Sequence, residues 1–248
     1  MTEPLPSTAP IFAESPARDA RFNVVETWSE CHNLPKQDPE SQVEFLHRQM
    51  AEEVDGLECA ARMLTDFPDA DWSLQMAIAR QCYDESRHVE MFRRLYEQRG
   101  GEVGRYPIMT FQYRIITRIP DLLGRLAVQN RAFETEGVDA VEPEISAARA
   151  RGDDAMADLF DAQLADEICH VRYANAQISE ASSKDPAAVM RIGRALDGAA
   201  RAFEKVMGAH AIGGTSYGVN REGRLEAGFT LAEVEAAEAM RAARRNAG

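Results

Sequence analysis

Aromatic residues make up only 7% of this chain, while Ala, Glu, Arg, Leu and Met abound. That scarcity argues against a sheet-built core and for helix. A basic balance is also missing. The formal net charge is −13, and no dense Lys/Arg run offers the basic face of a nucleic-acid binder. The basic run Arg241 to Arg245 reads instead as cations at a helix C-terminus. Cysteine is sparse: Cys31, Cys59, Cys82 and Cys169 form no Cys-x-x-Cys pair and no secreted-type disulfide framework. No apolar run approaches the roughly 18 residues of a membrane span, and the N-terminus lacks the basic start and apolar stretch of a signal peptide. The expectation is a reduced, cytoplasmic protein with neither membrane nor nucleic acid as partner.

What is present is helical periodicity. The 248 residues suffice to bury a real core. Residues 1–39 carry Pro4, Pro6, Pro10, Pro16, Pro35 and Pro39 without helical period, which predicts an extended arm on the surface or on a neighbouring subunit. Leu46, Met50, Leu57, Ala60 and Leu64 form an apolar stripe and predict a first helix over Glu40–Leu64. A second is expected over Asp71–Gln98, ended by Gly100-Gly101. A third runs from Pro120 to about Ala140, with Pro143 and Gly152 punctuating a short connection, and a fourth spans Ala155–Ser179. Asp185-Pro186 starts a fifth, reaching about His210, and Thr230-Leu231-Ala232-Glu233 is a capping box for a last one. The fold class is therefore all-α. A four-helix bundle over 40–180 has one long crossover between its second and third helices, and 181–248 packs further helices onto it.

Within the bundle one word is written twice. Asp84-Glu85-Ser86-Arg87-His88 and Asp166-Glu167-Ile168-Cys169-His170 are both Asp-Glu-x-x-His, offset by 82 residues (166−84). Glu and His three apart share a helix face and can point at one metal ion. Carboxylate oxygen with imidazole nitrogen suits a transition metal. A di-metal carboxylate bundle needs one further Glu from each of the other helices. Glu53-Val54-Asp55-Gly56-Leu57-Glu58 and Glu134-Thr135-Glu136-Gly137-Val138-Asp139 supply them in a shared pattern offset by 81 (134−53). The candidate metal ligands are Glu53, Glu85, His88, Glu134, Glu167 and His170. Glu52 competes with Glu53, which is preferred because it lies on the apolar stripe. Read as mere surface charges, these acids would contradict that stripe, since buried carboxylates without partners cost several kcal/mol. Gly56 and Gly137 are costly mid-helix and suggest close approach at both places.

Asp84 and Asp166 stand one residue off the ligands, where each could accept a hydrogen bond from the opposite hairpin's His and orient it. Tyr83 and Tyr173 flank the ligands and are candidates for contact with bound oxygen, although ordinary packing is the simpler reading. Arg87 is expected to pair with nearby acids, and Cys169 need not face the metals. Glu44-x-x-His47 also spells Glu-x-x-His, but without the leading Asp it is assigned to the solvated start of the first helix. His210 is expected as a helix C-terminal cation, and His32 is uninformative.

The order Glu, Glu-x-x-His, Glu, Glu-x-x-His over about 40–180 resembles the ferritin-like di-iron carboxylate superfamily, which includes bacterioferritin, rubrerythrin and the ribonucleotide reductase small subunit. "FETEGVDAVEP" and "GDDAMADLFDAQLADEICHVRYANAQ" resemble a bacterial ferritin-like group distantly related to the tRNA hydroxylase acting on isopentenyl-modified adenosine. The resemblance implies two iron ions and oxygen chemistry, with manganese or a mixed pair fitting the same ligands. The expected function is a non-haem di-iron oxidase or oxygenase working with O2, a small-molecule substrate and an external electron donor. The alternative is a ferroxidase, peroxide scavenger or manganese-catalase-like protein. Acidity counts against a tRNA substrate. The spare helices suit a homodimer.

Overall fold

Two helices carry the same seam. In the computed structural model, which describes residues 22–31, 34–35, 38–208 and 217–247, α1 (Ser41–Asp66) and α2 (Trp72–Gln98) form the first hairpin. The buried face of α2 reads Leu74, Ile78, Gln81, Glu85, His88, Phe92, Leu95, in alternating steps of four and three. The buried face of α6 (Asp154–Lys184) reads Met156, Phe160, Gln163, Glu167, His170, Ala174, Ile178. Each seam is apolar at its ends and polar in its middle. Leu46, Met50, Phe92, Met156 and Phe160 pack as one apolar layer. Ala60, Met63, Leu74, Ile78, Leu126, Ala174 and Ile178 pack as another. Each large side chain buried in them contributes about 1.5–3 kcal/mol, which offsets the cost of the polar middle.

The rod that faces α6 is composite. α4 (Leu122–Val128) is capped by Asp121, whose carboxylate accepts from Gly124 N–H at 2.9 Å. A π-helical turn over Gln129–Glu134 follows, and α5 (Thr135–Ala150) completes it. The expected end near Ala140 is corrected: the helix runs through Pro143 to Ala150. Pro143 lies on the exposed face of that helix. α6 also outruns its expected span and stops only at Asp185, which caps α7 (Pro186–Met207) through Ala187 N–H at 2.9 Å.

Between the hairpins the chain climbs the length of α1. Tyr106 Oη donates to Glu40, Gly104 N–H to His47, Tyr113 N–H to Asp55, and Arg125 pairs with Asp66. Arg99 at the end of α2 binds Asp153 at the start of α6. The crossover therefore carries the chain from one end of the bundle to the other, and α2 runs parallel to α4 and α5. It also holds β2 (Ile108–Met109), which pairs in parallel with β1 (Val24–Val25), and the short α3 (Phe111–Ile116). Residues 22–31 thus contain a strand and a 3-10 turn at Trp28–Glu30 where an extended arm was expected; the rest of that arm lies largely outside the described residues.

α7 packs on α3, α4 and α6. α8 (Arg221–Glu226) and α9 (Leu231–Ala247) pack on α5 and α6 through Val138, Ile168, Val171, Ala227, Phe229 and Val234. The capping box forms as expected: Thr230 N–H donates to Glu233 at 2.8 Å, and Glu233 N–H donates back at 3.3 Å. Arg241 is not a terminal cation. It reaches inward to Glu136 and Asp139 at 2.8 and 2.7 Å. No helix among the described residues is long and apolar enough to cross a membrane.

Candidate metal centre

All six expected ligands meet in the polar middle of the bundle, and all six are buried. Glu53, Glu85, His88 and Glu167 bring ligand atoms within 4.8 Å of one another, as do Glu85, Glu134 and His170. Glu85 is common to both groups. Its Oε2 lies 3.4 Å from His88 Nδ1 and its Oε1 lies 3.6 Å from His170 Nδ1. Glu167 splits in the same way, with Oε1 3.7 Å from His88 Nδ1 and Oε2 3.4 Å from His170 Nδ1. Glu53 Oε2 faces only the first imidazole, at 3.1 Å, and Glu134 Oε2 only the second, at 3.9 Å.

These separations fit ions between the side chains. A metal holding ligands at roughly 2.1 Å sets neighbouring donor atoms about 3.0 Å apart at right angles and about 3.4 Å apart at tetrahedral angles. His170 is only 2% exposed. Neither of its ring nitrogens, nor Glu167 Oε2, makes a hydrogen bond of good geometry among the described residues. Orphaned buried polar atoms are rare and call for an explanation such as an ion.

The protons tell the same story. Burial raises Glu53 to about 8, against the pull of His88. Glu167 is also held well above the carboxylate range, by burial and then by the charge of Glu134. Burial works to raise Glu134 too, but the neighbouring Glu167 and His170 and the hydrogen bond from Gln129 outweigh it and bring it down to about 2. Burial works to lower His88, yet Glu53 and Glu85 lift it to about 11, and His170 is raised by the acids around it in the same way. Without metal, Glu53, His88, Glu167 and His170 are all shifted toward their protonated forms, and cations binding there would compete with those protons.

Around the ligands the two hairpins brace each other crosswise. His88 Nε2 lies 3.2 Å from Asp166, and His170 Nε2 lies 3.5 Å from Asp84. Each aspartate thus faces the imidazole of the other hairpin, and the neighbouring cations hold both in place. Arg80 Nε donates to Asp84 at 2.7 Å; Arg87 reaches Asp84 at 3.0 Å and Asp166 at 3.1 Å. Gln81 Nε2 donates to Glu85 at 2.9 Å and across to Glu134 at 3.1 Å, while Gln163 Nε2 donates across to Glu53 at 2.7 Å. These glutamines were missed from the sequence, although the signal was present: Gln81 and Gln163 are also offset by 82 (163−81) and extend the repeated word to Gln-x-x-Asp-Glu-x-x-His. Gln129, which donates to Glu134 at 2.7 Å, and Asn130 come from the π turn and carry no comparable signal.

The remaining candidates divide. Tyr173 donates to Gln81 Oε1 at 2.6 Å and so touches the ligand shell through one amide; burial pushes its pKa up. Tyr83 is 60% exposed on the outside, with the Arg87 guanidinium over its ring, and does not reach the centre. Glu52 stays on the outer side with Gln49 and Arg48. Glu44 and His47 are not solvated, which corrects the expectation. Both are buried, and His47 packs among Phe22, Tyr96 and Tyr106, accepts from Gly104 N–H, and is lowered to about 4 by burial. Its burial depends on the crossover, which no local pattern announces. Gly56 is the close approach expected of it: a Cβ there would meet the Glu85 carboxylate at 3.2–3.4 Å. Gly137 is not, because a Cβ there would meet nothing within 4 Å. Cys169 is exposed, and His32 and His210 lie outside the described residues.

No curated protein and no solved structure matches this chain. A family model does, over residues 2–235, and the chain belongs to that family, described as "Protein of unknown function (DUF455)".

Proposed function

We propose that the protein is a ferritin-like di-metal oxidoreductase that holds two iron ions and works with O2 to oxidise a small organic substrate. The observation that carries this reading is the division of Glu85 and Glu167, each with one oxygen toward His88 and the other toward His170. Carboxylates so placed could each offer one oxygen to each of two ions. Glu53 with His88, and Glu134 with His170, complete the two ends. Two iron ions held there supply the electrons for reducing O2 at adjacent positions. The chain's own part is to set geometry and exclude water. Asp84 and Asp166 fix the imidazole orientations, the three glutamines hold the carboxylates, and the apolar layers on either side keep the centre dry.

The test is anaerobic Fe(II) titration followed by O2, with absorbance and O2 consumption recorded. Two irons per chain and O2 uptake, both lost in Glu85→Ala and Glu167→Ala, support the reading. Two irons that do not react with O2 sink it.

One observation favours a second reading. The layer around the ligands is amide rather than apolar, built from Gln81, Gln129, Gln163 and Asn130. Such a lining suits a small polar oxidant, as in a ferroxidase or peroxide scavenger, with manganese as an alternative metal. Sustained Fe(II) oxidation or peroxide removal with no organic substrate would select it.

A further inference from the structure

The π turn has an inner and an outer side, and both are occupied. Inward, Asn130 donates toward Gln81 Oε1 at 2.8 Å, Tyr173 Oη at 3.1 Å and the His170 carbonyl at 3.3 Å. Gln129 holds Glu134. Outward, the next residue, Arg131, leaves the bundle core and is taken up by the C-terminal helices. Its guanidinium donates to Asn175 and Glu233 and lies 4.4 Å over the Phe229 ring. Asn175 in turn donates to the Ala227 carbonyl at 2.8 Å. Two further cations of the same segment grip the next turns of the rod: Arg224 binds Asp139, and Arg241 binds Asp139 and Glu136. A π turn is a rare departure from the α-helix that recurs at functional sites, and here its outer side is held by these contacts. Glu53 sits instead in the unbroken α-helix α1.

We propose that Arg131 is a positioning residue through which the C-terminal helices α8 and α9 hold the π turn, and with it the metal position formed by Glu85, Glu134 and His170, while the position that Glu53 and His88 complete depends on it far less. This rests on the two-metal reading above. Arg131 touches no ligand; it fixes the backbone from which Asn130 and Glu134 project. The segment 217–247 is then part of the centre's architecture, and anything that loosened it would empty one metal position before the other.

The experiment is Co(II) titration of the metal-free full-length chain, read by visible absorbance, with the two binding phases assigned by His88→Ala and His170→Ala. Arg131→Ala is expected to weaken the His170 phase about tenfold or more and to leave the His88 phase within about twofold, the range seen when groups behind metal ligands are removed. Glu233→Gln, a milder change that keeps Arg131 packed, is expected to weaken the His170 phase about threefold, and it serves if Arg131→Ala does not fold. Arg221→Ala breaks ion pairs to Glu235 and Glu238 within the same segment. It is expected to move neither phase, which separates positioning from general loosening. The proposal is overturned if both variants leave the His170 phase unchanged, or if both phases weaken together. An unaltered chain that binds a single Co(II) would sink the two-metal reading itself, a result distinct from either.

Discussion

The first hairpin, α1 with α2, and the second, α4–α5 with α6, are built from the same words and supported by different means. Both place Gln, Asp, Glu and His on a seam, and both lend an amide and an aspartate to the other's ligands. Yet Glu53 rides an uninterrupted helix braced by the crossover, and Glu134 sits at the end of a π turn braced by the C-terminal helices. The acids after each Glu show the divergence most plainly. Asp55 accepts from Tyr113 N–H in the crossover, whereas Glu136 and Asp139 take Arg224 and Arg241. Repetition in sequence has been kept where the centre needs it and released where the surroundings differ.

The largest test of that symmetry lies with the shared carboxylates. Glu85→Ala or Glu167→Ala should weaken both metal positions by about a hundredfold or more, while Glu53→Ala or Glu134→Ala should spare one of them; metal content per chain after dialysis reads the difference. An equal loss from all four variants would break the division into shared and terminal ligands.

Acidity gives a second, smaller effect. Glu53 is raised to about 8 from an ordinary 4.5 and His88 to about 11 from an ordinary 6.5, so between pH 6.5 and 8 the folded metal-free protein keeps protons that the unfolded chain has released. Stability should therefore fall as pH rises from 6.5 to 8, on the order of 1 kcal/mol per pH unit for each group. His47, lowered to about 4 from an ordinary 6.5, contributes in the opposite direction and fades only across the lower part of that window, whereas Glu134 at about 2 has finished below it. Calorimetric melting across the window checks the slope. Metal should flatten it, because loading expels protons held by the ligands, and metal affinity should drop as pH falls. A metal-free melting temperature that rises between pH 6.5 and 8 would contradict these proton positions.

The smallest effect separates the two glycines. Gly137→Ala enters open space in a helix and should stabilise by about 0.5–1 kcal/mol, with metal binding unchanged. Gly56→Ala presses on the Glu85 carboxylate and should weaken metal binding several-fold, whatever it does to melting. Equal behaviour of the two would restore the symmetry that the pattern alone suggested.

That suggestion shows how far the sequence could be read. Side chains three and four apart on a helix are local facts, so the six candidate ligands, the crosswise aspartates and the capping box at Thr230 were legible as words. Gln81 and Gln163 were legible too, by the same offset, and were passed over because an amide alone announces no chemistry. The π turn was not legible, since Gln129–Glu134 differs from an ordinary helical turn only in how its neighbours hold it. His47 misled for the same reason: its burial depends on Phe22, Tyr96, Tyr106 and Gly104, all distant in sequence. Pro143 misled because a breaker on an exposed face costs a helix less than one inside it.

The most direct measurement is anomalous diffraction from crystals of the iron-loaded protein. Two peaks per chain, one beside Glu53 and His88 and one beside Glu134 and His170, with Glu85 and Glu167 between them, are the predicted result. A single peak, or two that share neither Glu85 nor Glu167, would contradict the account.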